Sequence, residues 1–152
     1  MLMINRRAFI IGIKSSKLSP KEILFLKKYK PWGIILFSRN IISIKQCTDL
    51  TKNIRSIFKD KNYPILVDQE GGRVNRLQNI LDLSMFNAKF FGNLYITDKK
   101  KFNFYYKLFI YQTSYMLKKI GININTVPVL DIKKQNSHNI IGDRSFSKNP
   151  KV

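Results

Sequence analysis

The chain has one cysteine, one histidine and two alanines among 152 residues, and its 9 acidic residues face 28 basic ones, for a formal net charge of +19. A lone cysteine excludes an internal disulfide framework and a four-cysteine zinc site. Cys47 shares helical spacing with Ile44, Leu50 and Ile54, which marks it as a small core residue. No apolar run reaches the roughly 18 residues that a membrane span needs. Arg6-Arg7 followed by Ala8-Phe9-Ile10-Ile11-Gly12-Ile13 has the outline of a twin-arginine export signal. However, the run stops at Lys14, short of the roughly 7–15 residues expected, and no small-x-small cleavage site follows. The segment reads better as a first core strand. Nothing in the sequence asks for a metal or a cofactor.

Negative charge is scarce, and positive charge is spread thin. Lys outnumbers Arg 21 to 7, and the lysines run along the whole chain in short clusters such as Lys99-Lys100-Lys101 and Lys118-Lys119. A nucleic-acid surface wants clustered basic residues with aromatics beside them. The abundance of Lys, Ile and Asn beside so little Ala is what an AT-rich genome writes onto any protein. The charge therefore reads as a solvated surface, and neither a nucleic-acid nor a membrane partner is expected.

A hydrophobic fraction of 44% and an aromatic fraction of 12% are enough for a packed core, in one domain or a piece of one. The elements alternate. Ala8–Ile13 reads as a strand. Ser19-Pro20-Lys21-Glu22 opens a helix to about Lys28 that buries Ile23, Leu24 and Leu26. Gly33–Phe37 is a second strand, Ser43 caps a helix to about Phe58, and Pro64–Asp68 is a third strand. The stretch from Leu77 to Tyr95 has no clear pattern. Asp98 opens the longest helix, to about Ile120, with Phe102, Tyr105, Phe109, Thr113, Met116 and Ile120 as its core stripe. Gly121 stops it, Ile122–Val127 is a fourth strand, and the tail from Lys133 is polar loop. This order implies a parallel sheet with right-handed crossovers, either a barrel or a doubly wound sheet.

The densest polar cluster is Asp68-Gln69-Glu70-Gly71-Gly72-Arg73-Val74-Asn75-Arg76, directly after the apolar Ile65-Leu66-Val67. In parallel α/β folds, residues just past a strand's carboxyl end line the binding crevice. Asp68 can accept hydrogen bonds from vicinal hydroxyls, and Arg76 can donate a fork. The same residues also suit an internal Asp–Arg ion pair that stiffens the loop, and Arg73 fits that role well. Asp131 and Asp143, the latter beside Arg144, follow the same strand-end rule. Four of the nine carboxylates thus fall in these segments, which favours a site over random surface.

Asp68-Gln69-Glu70-Gly71-Gly72-Arg73-Val74-x-Arg76 resembles the signature of bacterial β-N-acetylhexosaminidases of glycoside hydrolase family 3. Three further stretches agree in order and spacing. They are Pro31-Trp32-Gly33-Ile34-Ile35-Leu36-Phe37-Ser38-Arg39-Asn40, Gly121-Ile122-Asn123-Ile124-Asn125 through Pro128-Val129-Leu130-Asp131, and Ile141-Gly142-Asp143-Arg144-Ser145-Phe146. The resemblance implies that residues 1–152 form the N-terminal half of a TIM-like (β/α)8 barrel, incomplete in this chain. It implies a cytoplasmic retaining glycosidase that releases N-acetylglucosamine from cell-wall sugars during peptidoglycan recycling. Asp68, Arg76 and Arg144 would contact the sugar, supported by Glu70, Gly71, Gly72, Arg73, Asp131 and Asp143. The family's aspartate nucleophile, histidine acid/base and Lys-His pair have no counterpart here. His138 does not match the catalytic histidine and reads as a loop residue. No catalytic residue is therefore expected in this chain, and a complementing C-terminal chain is an expected partner. The alternatives are a non-catalytic remnant or sugar-binding half-domain and, behind it, a basic nucleic-acid-binding protein.

Overall fold

A computed structural model describes residues 5–134 and 138–152. It forms β1 (Arg7–Gly12), α1 (Pro20–Tyr29), β2 (Pro31–Leu36), α2 (Ile44–Phe58), β3 (Ile65–Val67), α3 (Ala88–Thr97), α4 (Lys99–Lys119) and β4 (Ile124–Asn125), with short 3-10 turns at Ser38–Asn40 and Gly142–Arg144. All strand pairs are parallel, and the spatial order β1-β2-β3-β4 is the chain order. A doubly wound sheet reverses its strand order at a switch point, whereas a barrel adds each strand beside the last. Sequential order with helices between successive strands is an arc of a TIM-like barrel, as expected from the sequence.

Side chains alternate between the two faces of each strand. Ile11, Ile34 and Ile65 stand in register across β1, β2 and β3. Together with Leu36 and Val67 they pack against Leu26 of α1, Cys47, Leu50 and Ile54 of α2, and Leu117 of α4. Burying each such side chain stabilises the fold by about 1.5–3 kcal/mol. The opposite face carries Gly12, Ile35 and Leu66 in register. Gly33 lies on it too, where a β-carbon would come within 2.8 Å of Leu66 Cδ1.

The caps follow the sequence closely. The Ser19 hydroxyl accepts from the Glu22 amide at 3.2 Å, and Glu22 returns the bond to the Ser19 amide at 2.8 Å. Glu22 also accepts from the Lys14 amide, tying the end of β1 to the start of α1. Ser43 caps α2, where Cys47, Leu50 and Ile54 are buried on the expected face. Buried Asn40 ties the turn after β2 to the chain leaving β1. Its amide nitrogen donates to the Ile13 and Ser15 carbonyls, and its oxygen accepts from the Phe37 amide.

Several expectations are corrected. Leu24, expected in the core, is 68% exposed, because Leu26 takes the inward position of α1. The α4 stripe turns on Tyr106, not on the half-exposed Tyr105, and Leu117 joins it. Tyr106 stacks on Phe102 and meets Phe91 edge-on at 4.8 Å between centroids. The stretch 77–95, which showed no pattern, contains most of α3. Asn87 caps this helix, and Asp98 both ends it and caps α4. The fourth strand is two residues long rather than six. There the Asn123 and Asn125 side chains take over some of the ladder: their Oδ1 atoms accept from the Ile65 and Gln69 amides at 2.8 and 3.0 Å. The polar tail contains the second 3-10 turn and packs on α3, so closely that a β-carbon on Gly92 would overlap the Phe146 carbonyl oxygen.

Candidate functional site

Every β-to-α connection leaves the same end of the sheet, and the polar residues collect there. After β3, the chain makes a tight turn in which the Val74 amide donates to the Gly71 carbonyl and the Glu70 amide to the Val74 carbonyl. Gly71 and Gly72 sit at φ of 88° and 60°, a region that costs other residues strain. A β-carbon on Gly71 would lie 2.2 Å from the Phe86 carbonyl oxygen, and one on Gly72 would lie 2.6 Å from Asn87 Cβ. The glycines thus let the turn press against the segment leading into α3. Gln69 locks it from inside: its fully buried side-chain oxygen accepts from the Arg76 and Leu77 amides at 2.7 and 3.0 Å.

Two forked ion pairs stand on this turn. Arg76 donates from Nε to Asp68 Oδ1 at 2.9 Å and from Nη2 to Asp68 Oδ2 at 2.7 Å. Arg144 donates from Nε and Nη2 to the two Glu70 oxygens at 2.8 and 2.7 Å. Charge-assisted forks of this kind are the strong, directional hydrogen bonds of proteins. The Asp68 hydrogen bond raises the Arg76 pKa, and the nearby Glu70 charge adds to it. The Glu70 hydrogen bond likewise raises that of Arg144, helped by the charges of Asp131 and Asp68. Asp131 is exposed and reaches this cluster through its charge. Phe37, just past β2, lies beneath both Arg39 and Arg76, with ring centroid distances of 4.6 and 5.5 Å.

Arg73 turns away from Asp68. It pairs with Asp143 at 3.1 Å and donates to the carbonyls of Asn139, Ile140 and Ile141. Asn87 also donates to Asp143. The loop carrying Arg144 is thereby clamped to the β3 turn. The pair within the loop that was anticipated for Arg73 is made by Arg76 with Asp68, while Arg73 pairs with Asp143 on the neighbouring loop. His138 accepts an amide bond from Ile140 within its own exposed loop and does not join the forks.

A cavity of about 280 Å³ opens beside Glu70 and Arg144, walled by Phe91, Phe109, Val127 and Phe146. Asp68 and Arg76 do not line it. A larger groove of about 610 Å³ runs between α1 and α2, away from both forks, so volume alone does not locate the site.

The sequence named Asp68, Arg76 and Arg144, and the structure gathers them at one rim. It missed the residues that hold them: Gln69, Asn125, Asn87 and Phe37. The one legible signal was Gln69 itself, a neutral amide between two acids directly after an apolar strand.

A parallel, sequentially ordered arc with its charged side chains forked together at the strands' carboxyl ends is the architecture of a TIM-like barrel domain. Residues 6–152 match the glycosyl hydrolase family 3 N terminal domain, and the chain belongs to that family. A β-hexosaminidase of Xanthomonas campestris pv. campestris is 32% identical over 143 residues, covering 94% of this chain and 42% of the relative. One from Stenotrophomonas maltophilia is 32% identical over 144 residues with the same coverage. The crystal structure of NagZ from Neisseria gonorrhoeae superposes with a TM-score of 0.85 at 29% identity, covering 97% of this chain and 43% of that one. The chain thus spans less than half the length of these relatives.

Proposed function

We propose that this domain supplies some of the terminal-sugar subsite of a glycosidase that hydrolyses N-acetyl-β-D-glucosaminides. Its relatives are β-hexosaminidases, and NagZ of Neisseria gonorrhoeae has been crystallised with N-trifluoroacetyl-D-glucosamine. The observation that carries the reading is the Asp68–Arg76 fork at the β3 rim. Both side chains remain about a quarter exposed. A carboxylate has about four lone-pair sites and a guanidinium five N–H donors, so the fork leaves acceptors and donors for sugar hydroxyls. Arg144, held by Glu70, orders the neighbouring wall.

Retaining hydrolysis needs a nucleophile and an acid/base on either side of the scissile bond. Asp68 and Glu70 both have their two oxygens engaged by arginines, which suits binding and orientation. The reading therefore assigns neither chemical role to this chain and gives both to a complementing C-terminal portion of the barrel. The substrate class is N-acetylglucosamine-containing cell-wall sugar, and the setting is cytoplasmic peptidoglycan recycling. The test is turnover of an aryl N-acetyl-β-glucosaminide. The 152-residue polypeptide should show none, and hydrolysis by verified pure protein would overturn the division of labour.

A further inference from the structure

Helix α4 has a second apolar face that the fold does not use. Phe104, Leu108, Tyr111 and Tyr115 repeat at spacings of four, three and four residues, so they stack on one side of the helix. Their exposures are 65%, 45%, 70% and 56%. The core stripe with Thr113 and Leu117 lies on the opposite side. At about 100° per residue, Lys100, Lys107 and Lys118 flank the exposed ridge on one edge, and Lys101 and Lys119 flank it on the other. All five lysines are exposed. The helix itself contains no acidic residue, and the one carboxylate at its end, the capping Asp98, is paired with Lys101 at 3.4 Å. The ridge runs about 16 Å along the helix axis.

We propose that this ridge is a docking surface for an anionic lipid bilayer, on which α4 lies flat with its aromatics at the headgroup level. Apolar and aromatic side chains bordered by lysines are the composition of interfacial helices. Tyrosine places a ring in the apolar boundary and its hydroxyl in water, and lysines extend their ammonium groups to lipid phosphates. Each lysine near an anionic leaflet adds about fivefold to affinity. A second copy of the helix is a poor occupant, because it would oppose lysine to lysine with only the capping Asp98, already paired with Lys101, to answer. A nucleic acid is also a poorer fit: α4 has no arginine to fork a phosphate, and the ridge is convex where single strands take a groove. No helix among the described residues is long and apolar enough to cross a membrane. Lying on a bilayer is a different requirement, and this surface departs from the sequence-based expectation of no membrane partner.

Co-sedimentation of the 152-residue chain with phosphatidylglycerol–phosphatidylcholine vesicles at about 0.15 M salt tests the proposal, with pure phosphatidylcholine vesicles as the neutral comparison. The whole chain is basic, so the decisive variant keeps charge constant. Phe104→Ser with Tyr111→Ser should weaken binding to anionic vesicles at least tenfold, with circular dichroism unchanged. Lys100→Gln with Lys107→Gln and Lys118→Gln should do the same without touching any apolar residue. Removing three lysines from α1, between the first two strands (Lys21→Gln, Lys27→Gln, Lys28→Gln), should cost less than threefold. Equal losses from the two lysine triples would overturn the proposal. So would ridge variants that bind as the unaltered chain does, or a ridge-dependent preference for polyuridylate over vesicles. Ridge-dependent dimerisation in sedimentation velocity would also overturn it in favour of a second copy.

Discussion

Arg76 grips Asp68 with two parallel hydrogen bonds of 2.9 and 2.7 Å, directly past the end of β3. An apolar strand thus ends on a carboxylate whose desolvation is offset by a guanidinium eight residues later. Arg76→Lys keeps the charge and loses the fork. It should lower stability by about 1 kcal/mol, since hydrogen bonds to charged groups contribute about 1.5–3 kcal/mol and partial exposure reduces that. Chemical denaturation of the two proteins measures the difference.

Arg73 serves the scaffold. Its pair with Asp143 is half-exposed, and exposed pairs contribute about 0.2–1 kcal/mol, but its guanidinium also holds loop carbonyls. Arg73→Ala should cost about 1 kcal/mol and speed proteolysis in the 139–146 loop, while leaving sugar affinity in a completed barrel within about twofold. Limited proteolysis with mass spectrometry locates the cut.

Gly92→Ala should be among the most damaging small substitutions. The added methyl would sit 1.7 Å from the Phe146 carbonyl oxygen, and backbone on both sides leaves no flexible atom to yield. A loss of about 2–3 kcal/mol, in the range of overpacking, should appear as a lowered Tm. Ala at neighbouring Asn93, which is exposed, should leave the Tm within about 2 °C.

The buried Cys47 thiol has its pKa pushed up to about 12 by desolvation. It should react with a disulfide reagent at pH 8 only after denaturant is added. The same shift gives a pH dependence. The unfolded thiol ionises near pH 9 and the folded one near 12, so the unfolded state loses its proton first as pH rises. The contribution is fully present below about pH 9 and is lost progressively up to about pH 12. Cys47→Ala should flatten the alkaline limb of the stability curve.

The regions of the fold that are legible in the sequence are those written locally. Ser19, Pro20 and Glu22 specify a helix start by their own hydrogen bonds, and Ile65-Leu66-Val67 is a strand by composition alone. Legibility fails where distant residues decide. Helix α3 draws stability from Phe146 and Phe109 across the chain, and its Asn87 cap is one residue among several polar ones. Strand β4 is short where asparagine side chains take over some of its ladder, a substitution that an alternation pattern does not register. Motif spacing singled out Asp68, Arg76 and Arg144, which the structure brings into two neighbouring forks. Which arginine meets which carboxylate depends on how the 139–146 loop folds back, and that is a tertiary fact.

Asp68 at the β3 rim is the residue on which the proposed sugar subsite depends. Fusing residues 5–152 to the remaining portion of the Neisseria gonorrhoeae relative would supply the rest of the barrel, and kcat/KM for an aryl N-acetyl-β-glucosaminide can then be measured with and without Asp68→Ala. A sugar-binding role predicts a loss on the order of 10- to 100-fold, equivalent to one charge-assisted hydrogen bond of about 1.5–3 kcal/mol. An unchanged kcat/KM with a lowered Tm would contradict it and leave the Asp68–Arg76 fork as a structural brace.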